Sequence, residues 1–213
     1  MERHSKLTFL TGPMNCGKTT ELLMRLRRFE IAKRQVFLVR PTMDTRAPER
    51  VVESKNGSKR DAITASTFEE AWATICTQTD ARSGLVIGID EVQFFAEPEF
   101  VDDVMSLVFT GNVVIVAGLV QKYNMFSENC LDTFTNSLAL LGQAHDIVKM
   151  NAVCTMCQDD ENGVYSHRHG YIYGSESLTG ADEVGGTEKY TSLCLPCYRK
   201  CAMPIQPKMS PRP

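Results

Sequence analysis

One eight-residue motif near the start of the chain constrains its fold more than any other feature. Residues 12–19 read GPMNCGKT and match the GxxxxGK[ST] pattern in full, between a predicted strand at residues 6–11 and a helical pattern that starts at Lys18. Gly12 and Gly17 allow a tight turn in which successive N–H groups point at phosphate oxygens above a helix N-terminus. We expect Lys18 to reach the β- and γ-phosphates of a nucleotide and the Thr19 hydroxyl to ligate Mg²⁺.

The remainder of the first 150 residues alternates between predicted strands and helices. Strands are predicted at residues 35–40, 85–89, 113–117 and 145–150. Helices are predicted from Thr67, which has capping-box spacing to Glu70, after Pro98, and over residues 131–141. The intervening residues 41–63 are expected to form a loop with short strands. The alternation predicts a doubly wound α/β fold with a parallel sheet flanked by helices.

Two adjacent carboxylates follow the apolar run at residues 85–89. Asp90 and Glu91 come at the predicted carboxyl end of this strand, which is where ligands bind in open α/β sheets. Adjacent side chains on a strand point in different directions, so the two acids can take different roles. We assign Asp90 to the Mg²⁺ site and Glu91 to a base that takes a proton from a nucleophile. The alternative is a solvated acidic turn.

The eight cysteines divide into scattered and clustered ones. Cys154 with Cys157, and Cys194 with Cys197, form two CxxC pairs on either side of residues 158–193, which is the pattern of a four-thiolate Zn²⁺ site. Such a site has no open position for water, so we expect it to hold the ends of a long loop. Cys201 is predicted not to be a ligand. The alternative is a redox-active or metal-free set of thiols.

The segment between the cysteine pairs is predicted to be a lid. Gly185 and Gly186 allow the backbone to approach a ligand closely, and the Tyr190 ring suits packing on a planar base. A core position for Tyr190 is the alternative. His167 and His169 are expected to face solvent, because four thiolates already complete the metal site.

Charge and hydropathy argue against several classes of partner. The chain has 23 Lys and Arg against 26 Asp and Glu, a net charge of −3, which provides no general attraction to nucleic acid or to an anionic membrane. The longest apolar run, at residues 113–120, is far shorter than the roughly 20 residues of a membrane-spanning helix, and no signal peptide is recognisable at the N-terminus. We therefore expect a cytoplasmic protein with neither a membrane nor a nucleic-acid polymer as its partner.

Together these motifs resemble those of the thymidine kinase family of the zinc-containing type, found in animals, many bacteria and large DNA viruses. The similarity extends from Leu7 to about Tyr198. Its most specific elements are residues 12–23 (GPMNCGKTTELL), 44–46 (DTR), 88–95 (GIDEVQFF), 117–119 (AGL), 152–157 (AVCTMC), and the glycine pair followed by Lys189-Tyr190 and the second cysteine pair.

The resemblance implies a fold, a division into domains and an activity. It implies a P-loop, RecA-like ATP-binding domain over residues 1–150, a small zinc-binding domain with a lasso-like lid loop over residues 151–201, and a flexible Pro-rich tail over residues 202–213. The implied reaction is Mg²⁺-dependent transfer of the γ-phosphate of ATP to the 5′-hydroxyl of thymidine and deoxyuridine, in nucleotide salvage for DNA synthesis. A homotetramer and dTTP as a feedback ligand are also implied.

Carried over residue by residue, the resemblance implies three groups of functional residues. Glu91 is the base on the 5′-hydroxyl, and Arg46 stabilises charge on the transferring phosphoryl group. Those that bind ATP or its Mg²⁺ are Gly12, Pro13, Met14, Asn15, Cys16, Gly17, Lys18, Thr19, Asp44, Asp90 and Gln93, of which Thr19 and Asp90 hold the metal. Those that bind the nucleoside are Met14, Phe94, Leu119, Tyr123, Arg168, Val184, Gly185, Gly186 and Tyr190.

Three segments depart from the family pattern. After Leu119 the family commonly has Asp-Gly-Thr-Phe, where this chain has Val120-Gln121-Lys122-Tyr123. Asn15-Cys16 stands where a pair such as Phe-Ser is frequent, and the lasso at residues 171–183 is longer than in compact members. Tyr123 still provides a ring, but the polarity of the pocket and its nucleoside range depend on this changed segment.

Two other classes of protein fit the sequence less well. A GTPase-like switch needs Asn/Thr-Lys-x-Asp after the late strands, and the nearest match, at residues 58–61, precedes the metal-binding strand. A nucleic-acid motor or zinc-ribbon module is expected to carry a basic stripe, whereas residues 159–161 beside the first cysteine pair are acidic. Retention on DNA without ATP turnover on nucleosides would favour that class.

Overall fold

A computed structural model describes residues 5–44, 51–53, 57, 59–123, 133–158, 163–170 and 185–202. The strands in these ranges are β1 (Lys6–Thr11), β2 (Val36–Pro41), β3 (Val51–Glu53), β4 (Lys59–Asp61), β5 (Ile63–Ala65), β6 (Val86–Ile89), β7 (Val113–Gly118), β8 (Asp146–Lys149), β9 (Tyr165–Arg168) and β10 (Tyr190–Leu193). The helices are α1 (Lys18–Ile31), α2 (Phe68–Gln78), α3 (Phe100–Phe109), α4 (Thr135–Gln143) and α5 (Leu195–Ala202), and a 3₁₀ turn covers Val92–Phe94.

Six strands form one parallel sheet in the order β5-β2-β6-β7-β1-β8. Every residue of β6 and β7 is buried, as the unbroken apolar runs predict for central strands covered on both faces. Alternate side chains pack against α2, α3 and α4 on one face and against α1 on the other. The predicted parallel sheet flanked by helices is therefore confirmed.

Local sequence signals explain where several elements begin. Thr67 accepts a hydrogen bond from the Glu70 N–H at 3.3 Å, and the Glu70 carboxylate accepts one from the Thr67 N–H at 3.4 Å, so the predicted capping box is present. Helix α4 begins at Thr135, later than the predicted residue 131, because Phe134 is still extended. The short strands expected within residues 41–63 include β3 and β4, which pair antiparallel.

A second, smaller sheet lies in the cysteine-rich part of the chain. Strands β9 and β10 pair antiparallel, and α5 packs on them through Tyr198, whose side chain is fully buried. His167 is 7% exposed and meets the Tyr198 ring edge-on at 5.7 Å between centroids. The prediction that His167 faces solvent is wrong, since the period of two along β9 turns it toward α5 together with Tyr165.

None of the helices in the described ranges is long and apolar enough to cross a membrane.

Candidate functional site

Two cavities meet at the carboxyl ends of the central strands. The larger has a volume of about 610 Å³ and is lined by the loop after β1, the end of β6 and residues 186–188. The smaller has a volume of about 30 Å³ and is lined mainly by apolar and aromatic side chains. Met14 and Glu91 line both cavities. A ligand in one cavity therefore lies next to a ligand in the other.

The loop at residues 12–17 needs its two glycines. Gly12 has a φ of 148°, and a Cβ at this position would lie 2.2 Å from the carbonyl oxygen of Met150, just beyond β8. Gly17 caps α1 with a φ of 90°, a conformation that costs glycine little. Asn15 between them also has a positive φ, of 64°. These turns place the loop above the N-terminus of α1, as the sequence motif predicts.

Lys18 and Thr19 open α1 at the floor of the larger cavity. The Lys18 ammonium group donates to the carbonyl oxygens of Pro13 at 2.8 Å and Gly12 at 3.2 Å, and its side chain is buried. The Thr19 hydroxyl lies 3.1 and 3.3 Å from the two carboxylate oxygens of Asp90. A hydroxyl and a carboxylate this close fit the oxygen ligands that Mg²⁺ prefers.

Glu91 adopts an unusual backbone conformation at the junction of the two cavities. Its φ of 50° and ψ of 45° are left-handed, which costs a non-glycine residue on the order of 1–3 kcal/mol. Its buried carboxylate accepts a hydrogen bond from the Gln93 amide, whose oxygen accepts one from the Leu119 N–H at 3.0 Å. Gln93 therefore orients the Glu91 carboxylate. It lines the smaller cavity, although the sequence grouped it with the ATP-binding residues.

Gly118, at the end of β7, makes room for this arrangement. A Cβ there would lie 2.5 Å from Val92 Cγ1 and 2.6 Å from Gln93 Oε1. The absence of a side chain allows the 3₁₀ turn to sit against the strand with the Gln93 amide directed at both Glu91 and Leu119.

Aromatic rings form much of the wall of the smaller cavity. The Tyr123 and Tyr190 centroids lie 6.0 Å apart, and the Arg168 guanidinium lies 5.9 Å from the Tyr123 centroid. Met14, Phe94, Leu119 and Gly185 also line this cavity. Of the residues assigned to the nucleoside, Gly186 lines the larger cavity, and Val184 lies outside the described residues.

Sequence reasoning missed three residues of the smaller cavity. Lys122, Phe134 and Ser166 line it, and the Lys122 ammonium group lies 5.3 Å from the centroid of the Phe134 ring. No motif identifies them, because their places depend on how the segments after β7 and around β9 fold back over the sheet.

Arg40 was also missed, although it is among the most deeply buried charged side chains described. It is 2% exposed, lines the larger cavity and donates to the carbonyl oxygens of Val51 and Asp44. Its guanidinium lies 3.6 Å from the Asp44 carboxylate, which lines the same cavity. A charged residue near the end of an apolar strand was the available signal. Arg46 lies outside the described residues.

The four clustered cysteines come together as the spacing predicts. The sulfur atoms of Cys154, Cys157, Cys194 and Cys197 all lie within 4.8 Å of one another, and Cys157 and Cys194 are 3.7 Å apart. Tetrahedral Zn²⁺ with bonds of about 2.3 Å places its sulfur ligands about 3.8 Å apart, so this set fits zinc. Cys201 is not part of this group.

The local environment makes these thiols electrostatically unequal. Burial acts to raise the pKa of Cys154, but hydrogen bonds from the backbone of Cys157, Cys194 and Met156 outweigh it and lower the pKa to about 6. Burial and the neighbouring thiols raise the pKa of Cys197 to about 12. One thiolate suppresses ionisation of the next, and a bound dication would remove that conflict.

The chain is similar in sequence to several known proteins over most of its length. The family model described as thymidine kinase matches residues 5–198. The cytosolic thymidine kinase of Gallus gallus is 32% identical over 193 residues, which cover 91% of this chain and 76% of that protein. The thymidine kinase of Thermococcus kodakarensis is 39% identical over 190 residues, which cover 88% of this chain and 91% of that protein.

One solved structure is similar at a greater distance. The genome packaging NTPase of Sulfolobus turreted icosahedral virus 2, in complex with sulfate, matches with a TM-score of 0.46 and 14% identity. The match covers 73% of this chain and 78% of that one.

Proposed function

This chain belongs to the thymidine kinase family, and from that premise we propose that it transfers the γ-phosphate of ATP to the 5′-hydroxyl of thymidine and of deoxyuridine. The observation that carries the proposal is the position of Glu91, which lines both the cavity beside the phosphate-binding loop and the aromatic cavity. Phosphoryl transfer requires donor and acceptor to meet in line, and the Glu91 carboxylate at the junction can act as a base on the acceptor hydroxyl.

The larger cavity is assigned to the donor. Lys18 exchanges its bonds to the loop carbonyl oxygens for phosphate oxygens, and loop N–H groups supply the remaining contacts. Thr19 and Asp90 would hold Mg²⁺, which would neutralise charge on the β- and γ-phosphates. Asp44 lines this cavity and is proposed to act on the donor, and Arg46 is proposed to stabilise charge on the transferring phosphoryl group.

Glu91 is assigned as the base. The proton of the 5′-hydroxyl passes to the Glu91 carboxylate as the oxygen attacks the γ-phosphorus, the bond from that phosphorus to the β-phosphate oxygen breaks, and ADP leaves. Gln93 keeps the carboxylate oriented, and the left-handed backbone of Glu91 turns the side chain away from the strand direction and toward the junction. The cost of that backbone conformation supports a functional reason for its presence.

The smaller cavity is assigned to the nucleoside base. Met14, Phe94, Leu119, Tyr123 and Tyr190 provide a mostly apolar surface for a planar pyrimidine. Backbone groups of residues 184–186 are proposed to hydrogen-bond to the polar edge of the pyrimidine. Arg168 is proposed to reach the phosphate on the substrate side. A volume of about 30 Å³ is smaller than a pyrimidine nucleoside needs, so binding requires the rings to separate.

The cysteine cluster is assigned to structural zinc. Its ligands come from the turn before β9 and from the end of β10 into α5, so the metal holds the ends of the long intervening segment together. The Gallus gallus relative is named cytosolic, and we propose the cytoplasm for this chain, where four reduced thiolates persist. A homotetramer, dTTP feedback and a role in nucleotide salvage are proposed on the sequence resemblance alone.

A panel assay tests the proposed function. The purified protein is incubated with ATP-Mg²⁺ and thymidine, deoxyuridine, deoxycytidine, deoxyadenosine or deoxyguanosine, and the monophosphates are separated and identified. We expect thymidine and deoxyuridine monophosphates to form. ATP hydrolysis without any nucleoside monophosphate would contradict the proposal.

A further inference from the structure

Both main-chain polar groups of Met14 are bonded to serines from outside the phosphate-binding loop. The Met14 N–H donates to the Ser166 hydroxyl at 2.9 Å, and the Ser192 hydroxyl donates to the Met14 carbonyl oxygen. Ser166 and Ser192 are directly opposite each other in the β9–β10 pair, so their side chains share one face of that hairpin. The two bonds join the beginning of the chain to its cysteine-rich end.

These bonds determine how two successive peptide groups of the loop are oriented. The Met14 N–H belongs to the peptide before its Cα, and its carbonyl belongs to the peptide after it. Since φ and ψ are the rotations of these two planes about Met14 Cα, the serines constrain both torsions. In a trans peptide the C=O and N–H point in opposite directions, so a Met14 carbonyl directed at Ser192 directs the Asn15 N–H away from the hairpin. Asn15 lines the larger cavity.

The hairpin that carries the serines is itself tied to the cysteine cluster. The Ser192 carbonyl oxygen accepts a hydrogen bond from the Thr155 N–H at 3.0 Å, next to Cys154 in the chain. Cys194 follows Ser192 by two residues. Ser192 is completely buried, so loss of its hydroxyl would leave the Met14 carbonyl oxygen without this partner in a site closed to water.

We propose that Ser166 and Ser192 are positioning residues, which aim the phosphate-binding loop at the donor through the two peptide groups of Met14. The proposal rests on the proposed function in one respect, since it takes the larger cavity as the ATP site. Met14 also lines both cavities and Ser166 lines the smaller one, so the same contact connects the acceptor side to the donor loop.

The test compares ATP binding among hairpin variants of the full chain. The variants are Ser192→Ala, Ser166→Ala and Ser166→Thr, which keeps a hydroxyl. Thr191→Ala is the matched control, because it removes a hydroxyl from the residue just before Ser192 in β10. The Thr191 hydroxyl bonds to the Thr155 hydroxyl and not to Met14. The dissociation constant of ATP-Mg²⁺ is measured by calorimetry without nucleoside, and KM for ATP and for thymidine are measured separately.

We expect Ser192→Ala to weaken ATP binding about tenfold, with a much smaller change in KM for thymidine. Ser166→Ala should also weaken ATP binding. Ser166→Thr, which keeps a hydroxyl, and Thr191→Ala should both bind ATP as the unmodified protein does. A role limited to stability would lower the melting temperature while leaving the ATP constants of the folded protein unchanged.

Unchanged ATP affinity in a folded Ser192→Ala protein would overturn the proposal. If Ser192→Ala does not fold, the variants of the half-buried Ser166 are compared by the dissociation constant of ATP-Mg²⁺ and by KM for ATP. Equal ATP affinity in Ser166→Ala and Ser166→Thr would overturn the proposal. Failure of the proposed function is distinguishable, because it would appear as unmodified protein that binds ATP but phosphorylates no nucleoside.

Discussion

At the scale of single residues, the site depends on space as much as on chemistry. Gly118 has no side chain where Val92 and Gln93 approach β7, and Gln93 in turn orients the Glu91 carboxylate. A methyl group at position 118 would have to displace both a packed valine and the amide that holds the Glu91 carboxylate. Val92 is fully buried and the Gln93 amide is hydrogen-bonded to Glu91 and Leu119, so a shift of either side chain disturbs these contacts.

Gly118→Ala is therefore expected to reduce kcat by tenfold or more, about the effect of a misplaced catalytic group. Steady-state kinetics with thymidine and ATP measure this. Gly142→Ala is the matched control, because a Cβ there meets no atom within 4 Å and alanine favours a helix over glycine. Equal kcat values for the two variants would show that the Gly118 contact does not position Glu91.

His167 is expected to make stability sensitive to acid. Burial, with a smaller contribution from His169, lowers the pKa of His167 below its ordinary value of 6.5. As pH falls below 6.5 the unfolded chain takes up a proton that the folded chain resists, so stability decreases over that range and is unaffected well above it. The melting temperature of His167→Phe should fall less between pH 7 and pH 5.5 than that of the unmodified protein. An identical pH dependence in the two proteins would exclude His167 as a source of acid sensitivity.

At the scale of secondary structure elements, the sequence predicted the features that depend on neighbouring residues. It did not predict those that depend on long-range contacts. The apolar runs predicted β6 and β7, and the Thr67 and Glu70 spacing predicted the start of α2, because both depend on neighbours in sequence. The left-handed backbone at Glu91 could not be predicted, since it depends on the turn that Gly118 accommodates. Burial of His167 likewise depends on α5 packing across β9.

The capping box gives a prediction confined to one element. Thr67→Ala removes the side chain that accepts from the Glu70 N–H, which typically costs about 1 kcal/mol. For a protein of this size we expect the melting temperature to fall by about 2–4 °C. The KM values should not change, because α2 contributes no side chain to either cavity. A change in KM for ATP without a change in melting temperature would contradict this separation.

At the scale of the whole molecule, the parallel sheet supplies the loop that lines the larger cavity, and the β9–β10 hairpin supplies part of the wall of the smaller one. The motifs predicted that the glycine-rich loop precedes α1 and that the four cysteines come together. The motifs did not identify Lys122 or Ser166, because each joins the site through segments distant in sequence, and the only signal for Arg40 was its charge near the end of an apolar strand. The lasso predicted at residues 171–183 lies outside the described residues, as does the tail predicted at residues 202–213 except for residue 202, which ends α5.

Loss of zinc is expected to affect both the cysteine-rich part of the chain and the phosphate-binding loop. Cys194→Ser should abolish stoichiometric zinc binding and lower the melting temperature, and it should also weaken ATP binding, because β10 carries Ser192. Cys201→Ser, outside the cluster, should retain one zinc per chain. Metal analysis, thermal melting and ATP titration measure these effects. Full zinc content in Cys194→Ser would contradict the assignment of the four ligands.

Glu91, which lines both cavities, is proposed to take the proton from the 5′-hydroxyl of the nucleoside. Single-turnover phosphorylation of thymidine by Glu91→Gln, at saturating ATP-Mg²⁺ and thymidine, tests it most directly. We expect the transfer rate to fall by roughly 10²–10⁴-fold, the usual contribution of a positioned base, while the dissociation constants of both substrates change little. A transfer rate equal to that of the unmodified enzyme would show that Glu91 is not the base.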